Sequence, residues 1–506
     1  MASTVHPILP LDAHNLRLGE NVHPPEWKNP TPAASYNLVV IGAGTAGLVM
    51  AAGAAGLGAR VALIERHLMG GDCLNYGCVP SKALLRVARG VGEIVRARSM
   101  GIAAKLEEVD FAAVMERMRR IRAELSSNDS AARFKQLGVD VFFGEARFLD
   151  TNQIRVGDST TLRFRRAAVA SGGRPARLPI AGLEEAGYLT NQSVFSLTEL
   201  PRRLTIIGGG PIGCELAQAF ARFGSEVTII ESTLHILGRE DRDAAQVLVA
   251  ALLRDGVKIV TGAALTRVDR RVNDKLVQYE VDGMLREIIA DQILLGVGRA
   301  AELDSLDLAA GGIECGPEGI KVDDHLRTSN PRVYAAGDVC TALKFTHMAD
   351  AMARIVIRNA LFYGRTRAST LMVPSCIYTD PEIAQVGLTE QEARVHGIPV
   401  RSFAQSFAGV DRAVIDGETE GFIKLQVAGN SGRIIGATVV GSHASELISA
   451  ISMAMCSGIR IGQLTNVIHP YPTRTEVLRK LADAYNRSRL TPRVGRVLAK
   501  WFALTR

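Results

Sequence analysis

Two cysteines separated by four residues are the part of the sequence with the most distinctive chemistry. Cys73 and Cys78 stand in the run Gly70-Gly-Asp-Cys73-Leu-Asn-Tyr-Gly-Cys78-Val-Pro-Ser-Lys82. In a regular helix their Cα atoms would lie about 8–9 Å apart, farther than the roughly 7 Å that a disulfide tolerates. Either the pair is unbonded, or Gly77 breaks the helix and a distorted turn brings the two sulfurs together. A strained disulfide at a helix start is easily reduced, and Lys82 nearby would lower the pKa of a thiolate.

A glycine-rich fingerprint precedes the cysteine pair and returns later in the chain. The strand Asn37-Leu-Val-Val-Ile41 leads into Gly42-Ala-Gly44-Thr-Ala-Gly47, and Leu204-Thr-Ile-Ile207 leads into Gly208-Gly-Gly210-Pro-Ile-Gly213. Each copy continues into an Ala-rich helix and a second strand. A glutamate ends that strand 23 residues after the first glycine, Glu65 in one copy and Glu231 in the other. The chain therefore contains an internal repeat, offset by 166 residues.

The repeated unit has the features of a dinucleotide-binding site. The first glycine permits a tight turn, the second lets the backbone approach a pyrophosphate, and the third lets the helix pack on the strand. The helix N-terminus supplies partial positive charge, and the glutamate accepts hydrogen bonds from a ribose hydroxyl. Two such sites imply electron transfer between two cofactors. The position of the cysteine pair beside the first site favours a redox role over two buried structural thiols.

The second glutamate also bears on which nucleotide the second site takes. The carboxylate of Glu231 would repel a 2′-phosphate, which favours NADH over NADPH. Arg239 follows eight residues later and could weaken that discrimination. We therefore expect NADH as the preferred electron donor.

Length and composition limit the class of protein. A chain of 506 residues is too long for one core, so we expect two to four domains. Seven cysteines, an odd number in a large chain, indicate a reducing compartment. We see no signal peptide and no apolar run of about 18 residues, so a cytoplasmic location is expected. The net charge of +7 comes almost entirely from six basic residues within 485–506, which argues against nucleic acid as a partner.

The cysteine segment, the two fingerprints and their order resemble the class I pyridine nucleotide–disulfide oxidoreductases. That family includes dihydrolipoamide dehydrogenase, glutathione reductase and mercuric reductase, and the resemblance covers about residues 36–485. It implies an α/β fold with two Rossmann-like dinucleotide-binding domains, one for FAD and one for NAD(P), and a C-terminal α+β dimerisation domain. The expected boundaries are an N-terminal arm, extended or partly disordered (1–35), an FAD-binding domain in two parts (36–190 and 320–368), an NAD(P)-binding domain (191–319), the dimerisation domain (369–485) and a basic amphipathic tail (486–506).

The resemblance also implies roles for single residues. Cys73 and Cys78 would form the redox-active disulfide, with Cys78 as the thiolate against the flavin and Cys73 as the thiol that meets substrate. Lys82 would lie near the flavin N5 and pair with Glu215. Further FAD-binding or linking positions carried over from the family are Gly71, Ser171, Gly172, Gly298, Gly337, Asp338 and His347, the last at the start of a helix directed at the flavin.

One departure from the family pattern concerns the substrate. Disulfide-reducing members end in His-Pro-Thr-x-x-Glu, whereas this chain has His469-Pro-Tyr471-Pro472-Thr473-Arg-Thr-Glu476. Aligned on Glu476, the position of the proton-exchanging histidine is Tyr471. A histidine with a pKa of about 6.5 can exchange protons at neutral pH, and a tyrosine with a pKa of about 10 cannot. Mercuric reductases resemble this chain in carrying tyrosine there.

The sequence leaves three functions open. The first is a mercuric-reductase-like enzyme that reduces a thiol-bound metal ion or related small electrophile, with Cys73 and Cys78 as transient ligands and no permanent metal. The mercuric reductases' N-terminal metal-binding Cys-x-x-Cys domain and vicinal C-terminal cysteines are absent, which puts mercury turnover in doubt. A disulfide reductase of the dihydrolipoamide dehydrogenase type is the alternative, and a flavoprotein with a mainly binding role is the third.

Two expectations concern partners. The family implies a homodimer whose active sites combine Cys73 of one subunit with Tyr471 and Glu476 of the other. The tail is expected to form a basic amphipathic helix, because apolar residues recur there at helical spacing. We expect this helix to pack on the protein's own dimer surface rather than to bind a membrane.

Overall fold

The computed structural model describes residues 8–505 and divides into two compact units. Unit 1 comprises the chain up to His235 together with Gly256–Leu371, and unit 2 comprises Ile236–Asp255 together with Met372–Arg506. Residues 236–255, which the predicted boundaries assign to the NAD(P)-binding domain, belong to unit 2 in this division. Both units combine sheets with helices, so the predicted α/β class is confirmed.

The first sheet of unit 1 has seven strands built around the long strand Thr160–Val169. The C-terminal half of this strand pairs in parallel with Tyr36–Ile41 on one side and with Val333–Ala335 on the other. Its N-terminal half pairs antiparallel with Gln153–Val156. The remaining strands are Val61–Glu65, Val139–Phe143 and Ala146–Asp150. The parallel strands are almost wholly apolar because helices or other chain segments cover both faces.

A second, four-stranded parallel sheet contains the repeat of the glycine fingerprint. Its order is Lys258–Val260, Glu226–Ile230, Arg203–Ile207 and Gln292–Leu295. An antiparallel sheet follows, formed by Ala264–Arg270, Lys275–Val281 and Met284–Ala290. Two short antiparallel pairs complete the strands of unit 1: Gly173–Pro175 with Arg299–Ala301, and Cys315–Gly316 with Gly319–Ile320.

Two helices of unit 1 begin at the turns that the glycine fingerprints predict. Thr45–Gly56 and Pro211–Phe223 each start directly after the second glycine of a fingerprint. The others are Ala13–Val22, Gly71–Asn75, Cys78–Arg96, Phe111–Leu125, Ala131–Gln136, Leu183–Ala186 and Thr346–Phe362. Short 3-10 helices cover Ala97–Met100, Ser126–Asp129, Val194–Ser196 and Ala368–Thr370.

The N-terminal segment differs from the expected extended or disordered arm. Residues Ala13–Val22 form a helix whose N-terminus is capped by the side chain of Asp12, and Leu18 and Val22 are completely buried. The expectation was wrong because it weighed the prolines of this segment, which only flank the helix. An N-cap aspartate followed by apolar residues four positions apart is a helix signal in its own right. Residues 1–7 of the predicted arm lie outside the described chain.

Unit 2 is built on a five-stranded antiparallel sheet. Its order is Ser375–Ile377, Glu382–Gly387, Ile434–Gly441, Phe422–Ala428 and Val400–Ser406. Its helices are Arg242–Arg254, Glu390–Val395, Asp411–Ile415, Ala444–Cys456, Val477–Ser488 and Pro492–Leu504, with 3-10 turns at Phe407–Gly409, Ile461–Asn466 and Arg474–Glu476. One apolar core joins the sheet to Ala444–Cys456 and Val477–Ser488. The last helix contributes no buried residue.

Two glycines of one helix provide a matched test of the fingerprint packing. A Cβ atom at Gly47 would lie 1.8 Å from the carbonyl oxygen of Gly42, whereas one at Gly56 would meet nothing within 4 Å. We expect Gly47→Ala to destabilise unit 1 by about 1–3 kcal/mol or more, because the added methyl group would clash with backbone, which cannot move aside as a side chain can. Gly56→Ala should be neutral or stabilise by about 0.5–1 kcal/mol. Thermal unfolding of the FAD-loaded protein measures both, and equal midpoints would contradict the packing described.

Candidate redox site

The two cysteines lie at an interruption between two helices. Cys73 is in Gly71–Asn75, and Cys78 begins Cys78–Arg96. Gly77 separates them with φ −130° and ψ −113°, and a Cβ atom there would lie 2.9 Å from the carbonyl oxygen of Asp72. The predicted break at Gly77 is therefore confirmed, and its tight approach to backbone explains why a glycine stands there. All seven cysteines of the sequence lie within the described residues, and each is a free thiol.

The two thiols share a hydrogen bond that gives them opposite acidities. The bond from the Cys73 thiol lowers the pKa of Cys78 to about 6; burial opposes this shift, and the Thr346 hydroxyl and the Lys82 charge add to it. The Thr346 Oγ1 lies 3.4 Å from the Cys78 Sγ. The same hydrogen bond, together with burial, raises the pKa of Cys73 far above its usual range. The directions of these two shifts favour a thiolate at Cys78 and a protonated thiol at Cys73.

An ion pair connects the cysteine-bearing helix to the second fingerprint. The Nζ of Lys82 lies 2.9 Å from Oε2 and 3.2 Å from Oε1 of Glu215. Glu215 is buried on the helix Pro211–Phe223. The predicted pairing of these two residues is present, and it fixes the ammonium group one helical turn from Cys78.

The first fingerprint forms a cradle in which only the middle glycine faces open space. A Cβ atom at Gly42 would lie 2.4 Å from the carbonyl oxygen of Ala170, and Gly47 is equally confined. At Gly44 the nearest atom would be the Cα of Gly71, 3.7 Å away. The backbone is thus held close at the turn and open where a pyrophosphate would approach. These residues fit a bound dinucleotide.

The second fingerprint repeats this arrangement. Cβ atoms at Gly208 and Gly213 would lie 2.6 and 2.1 Å from carbonyl oxygens, whereas at Gly210 the nearest atom would be 3.8 Å away. The same residue types therefore produce the same cradle on the second sheet, and it fits a second dinucleotide.

The two strand-end glutamates hold the fingerprint backbones. Glu65 accepts hydrogen bonds from the N–H groups of Ala43 (2.7 Å) and His67 (2.8 Å), and burial raises its pKa. Glu231 accepts from Gly209 (2.7 Å) and Thr233 (2.8 Å). Burial would raise the pKa of Glu231, but these hydrogen bonds outweigh it and lower the pKa. Glu231 is therefore ionised at neutral pH.

Of the remaining expected FAD positions, Ser171 lies beside the first fingerprint. A cavity is lined by Gly42, Glu65 and Ser171, and the Ser171 hydroxyl donates to the carbonyl oxygen of Glu302 at 2.6 Å. Gly172, Gly298 and Gly337 have φ values of 77°, 108° and 83°, a conformation that favours glycine. His347 is exposed and stacks on Phe345, next to the Thr346 that contacts Cys78.

Sequence reasoning missed a polar network around Asp72. Arg299 donates to Asp72 at 3.0 Å and to the carbonyl oxygen of Gly173 at 2.7 Å, and its Nε lies 3.3 Å from Asp338. Burial raises the pKa of Asp338, and the Arg299 charge opposes that shift. Asn191 also donates to Asp72, at 2.9 Å. Asp72 stands inside the cysteine motif and could have been suspected, but Asn191 carried no signal.

A second missed network joins the N-terminal helix to the helix Gly71–Asn75, which carries Cys73. The buried Arg122 donates to the carbonyl oxygen of Asn75 at 2.9 Å and to the side chain of Asn15 at 2.7 Å. Burial lowers the pKa of Arg122 to about 10. Just before this helix begins, the N–H of Met69 donates to the carbonyl oxygen of Val22 at 3.0 Å. The N-terminal segment therefore contacts the backbone before Cys73 directly, at Met69, and the backbone after Cys73 through Arg122.

The two C-terminal site residues belong to unit 2. Tyr471 is 71% exposed, and its hydroxyl donates to Asp411 at 3.0 Å, which raises its pKa. Glu476 is buried and accepts from Arg479 at 2.8 Å through Oε1, while its Oε2 has no hydrogen-bond partner among the described residues. The Nε2 of His469 is also buried without a partner in that range, and burial lowers the pKa of His469.

Comparison with known proteins identifies the family. Residues 36–353 match the pyridine nucleotide-disulphide oxidoreductases, and residues 373–482 match the dimerisation domain of that family. The chain belongs to this family of flavoprotein oxidoreductases, which depends on FAD with NAD(P)H as electron donor, so the resemblance predicted from the sequence is confirmed. The dimerisation domain indicates a homodimer.

Relatives and solved structures include proteins with different acceptors. A mercuric reductase of Bacillus cereus is 35% identical over 88% of this chain and 70% of its own length. A dihydrolipoyl dehydrogenase of Geobacillus stearothermophilus is 35% identical over 89% of this chain and 96% of its own length. The HOCl-induced flavoprotein disulfide reductase RclA from Escherichia coli matches with a TM-score of 0.80 and 30% identity, over 88% of this chain and 99% of its own.

No resident metal cluster is found in the described part of the chain. Between residues 8 and 505, no three His, Cys, Asp or Glu side chains are grouped so that they could hold a metal ion.

Asn15 and Asn21 lie on the same helix, Ala13–Val22. Substituting each in turn tests whether the Arg122 network positions the helix Gly71–Asn75 or only adds to stability. Asn15→Ala leaves Arg122 without its side-chain partner, which should cost about 1–3 kcal/mol and loosen the contact at Asn75. We expect a lower thermal midpoint together with faster alkylation of the reduced cysteine pair. Asn21→Ala removes a hydrogen bond to Ser126 instead. This control should lower the midpoint without changing the alkylation rate, and identical thiol rates in both variants would show that the network does not position the cysteines.

Proposed function

We propose that this protein passes electrons from NADH through FAD and a redox-active Cys73–Cys78 disulfide to a thiol-bound metal ion or a related small electrophile. The observation that carries the substrate class is Tyr471, which stands where disulfide-reducing relatives have a proton-exchanging histidine. Its phenol donates to Asp411, and its pKa is raised. A group that holds its proton across the neutral range is unsuited to dithiol–disulfide exchange.

The first fingerprint, Glu65, Ser171, Gly172 and Asp338 would hold FAD, together with the helix that begins at Thr346. The second fingerprint and Glu231 would hold the nicotinamide nucleotide. Bound FAD supplies hydride transfer from that nucleotide to the cysteine pair. Ionised Glu231 would repel a 2′-phosphate, which supports NADH over NADPH.

The cysteine pair has the properties that such an electron transfer needs. When the disulfide takes up two electrons, its S–S bond breaks, Cys78 remains a thiolate and Cys73 takes up one proton. The unequal acidities of the two thiols support this division, because the pKa of Cys78 is lowered and that of Cys73 raised. Lys82, held by Glu215, stabilises the negative charge. Both sulfurs can then ligate a soft metal ion, which thiolates prefer.

The relatives support both candidate acceptors, a metal ion and a disulfide. Mercuric reductases are among the similar proteins, and a Cu(II) complex of RclA is among the similar structures. The dihydrolipoyl dehydrogenase alternative stays open because this chain covers almost the whole length of that relative. In a homodimer, Tyr471 and Glu476 of one subunit would complete the site at Cys73 of the other, and we propose that the enzyme works in the cytoplasm.

The role of Cys78 predicts a pH-dependent absorbance. In the two-electron-reduced, FAD-loaded protein, a long-wavelength band should arise from the Cys78 thiolate against the flavin. Because the pKa of Cys78 is lowered to about 6, the band should persist at neutral pH and fade as the pH falls through that value. Thr346→Val removes a hydrogen-bond donor, so the midpoint should move to higher pH. Thr341→Val is the control, since its hydroxyl contacts Leu343. A band unaffected by Cys78→Ser would show that another group produces it.

Exchange of Tyr471 tests the substrate class. Steady-state turnover of NADH should be faster with a Hg(II) or Cu(II) thiol complex than with lipoamide. Tyr471→His restores a base that titrates near neutral pH and should raise lipoamide turnover at least about tenfold. Tyr471→Phe, which removes the hydroxyl without adding a base, should not raise it. Vigorous lipoamide reduction by the unmodified protein would favour the dihydrolipoamide dehydrogenase alternative. Failure of NADH to reduce the flavin would instead favour a flavoprotein with a mainly binding role.

A further inference from the structure

The helix Pro492–Leu504 is an ordered element that the enzyme core does not cover. Its N-terminus is formed by Thr491, whose hydroxyl accepts from the N–H of Val494, with Pro492 in the first turn. Not one of its residues is buried. Trp501 is 61% exposed and Phe502 58%, which is unusual for large aromatic side chains.

The exposed apolar residues share one face of this helix. At about 100° per residue, they fall within an arc of about 160° centred on Val494. The members of this face are Val494, Val497, Leu498, Trp501, Phe502 and Leu504. Trp and Phe beside aliphatic residues on one side of a helix are typical of helices that lie in a membrane interface.

The basic residues occupy the adjoining sector of the same helix. Arg493, Arg496 and Lys500 project next to one edge of the apolar face, and Arg487 and Arg489 precede the helix. The last acidic residue of the chain is Asp483, so no acidic side chain accompanies these charges. Such a surface is complementary to a negatively charged one that also offers apolar contact.

We propose that the helix Pro492–Leu504 docks the enzyme on an anionic lipid surface, with Trp501 and Phe502 inserted between headgroups. The match to the dimerisation domain ends at residue 482, so the helix lies outside the segment that defines the dimer in this family. This position and the basic charge of the helix favour a lipid occupant over the partner subunit, which the sequence alone had favoured. The inference concerns where the enzyme works and is independent of its electron acceptor.

The contact is peripheral and depends on salt. Among the described residues, no helix is long and apolar enough to cross a membrane. About three turns with one apolar face provide limited hydrophobic area, so the basic residues must supply much of the attraction. Because exposed charges are screened by ions, the bound protein should be released at high ionic strength.

Vesicle co-sedimentation of the FAD-loaded full chain tests the proposal. The protein should bind vesicles of equal parts phosphatidylglycerol and phosphatidylcholine at low salt and should not bind phosphatidylcholine alone. Reversing the charges with Arg493→Glu, Arg496→Glu and Lys500→Glu should weaken binding at least about tenfold. The control reverses three exposed charges elsewhere, with Arg98→Glu, Arg163→Glu and Arg271→Glu, and should bind almost as well as the unmodified protein. NADH-dependent turnover in solution should be unchanged in both variants.

Tryptophan emission distinguishes lipid from the partner subunit. The chain has two tryptophans, so Trp27→Phe leaves Trp501 as the only one. Its emission should resemble that of exposed tryptophan in buffer and shift to shorter wavelength with the anionic vesicles. Emission that is already short in buffer would mean that the helix packs on protein and would overturn the proposal. Equal vesicle binding by the tail and control charge variants would overturn it as well.

Discussion

The hydrogen bond from the Cys73 thiol to the Cys78 sulfur is the interaction on which the redox site depends. It makes two chemically identical side chains unequal, one prepared to be a thiolate and the other to keep its proton. In a regular helix the Cα atoms of the two cysteines would lie about 8–9 Å apart, so the break at Gly77 is a precondition for their contact. Thr346 and Lys82 then stabilise the charge on the sulfur that carries it.

The groups that hold the segments around this bond come from several parts of unit 1. Arg299 connects Asp72 to the strand pair between the two dinucleotide sites, and Glu215 connects Lys82 to the second fingerprint. Arg122 holds the carbonyl oxygen of Asn75 from behind. Each of these partners contacts the short helix that carries Cys73 or the first turn after Cys78.

The sequence predicted those parts of the site that depend on local geometry or on spacing. Both glycine cradles, the break at Gly77 and the pairing of Lys82 with Glu215 followed from residue types and the family pattern. The contacts of Asn191 with Asp72 and of Arg122 with Asn15 could not be predicted, because each joins residues more than a hundred positions apart that stand in no recognisable motif together. The N-terminal helix was missed because neighbouring prolines outweighed a single capping aspartate.

The N-terminal helix also imposes an order on folding during synthesis. The residues of this segment are synthesised before their partners: Asn15 must wait for Arg122, 107 positions later, and Trp27 for Val141, 114 positions later. Until then Leu18 and Val22 have no core to enter, although both are completely buried in the finished unit. The growing chain must therefore keep this segment from other partners until the backbone behind the cysteines has been made.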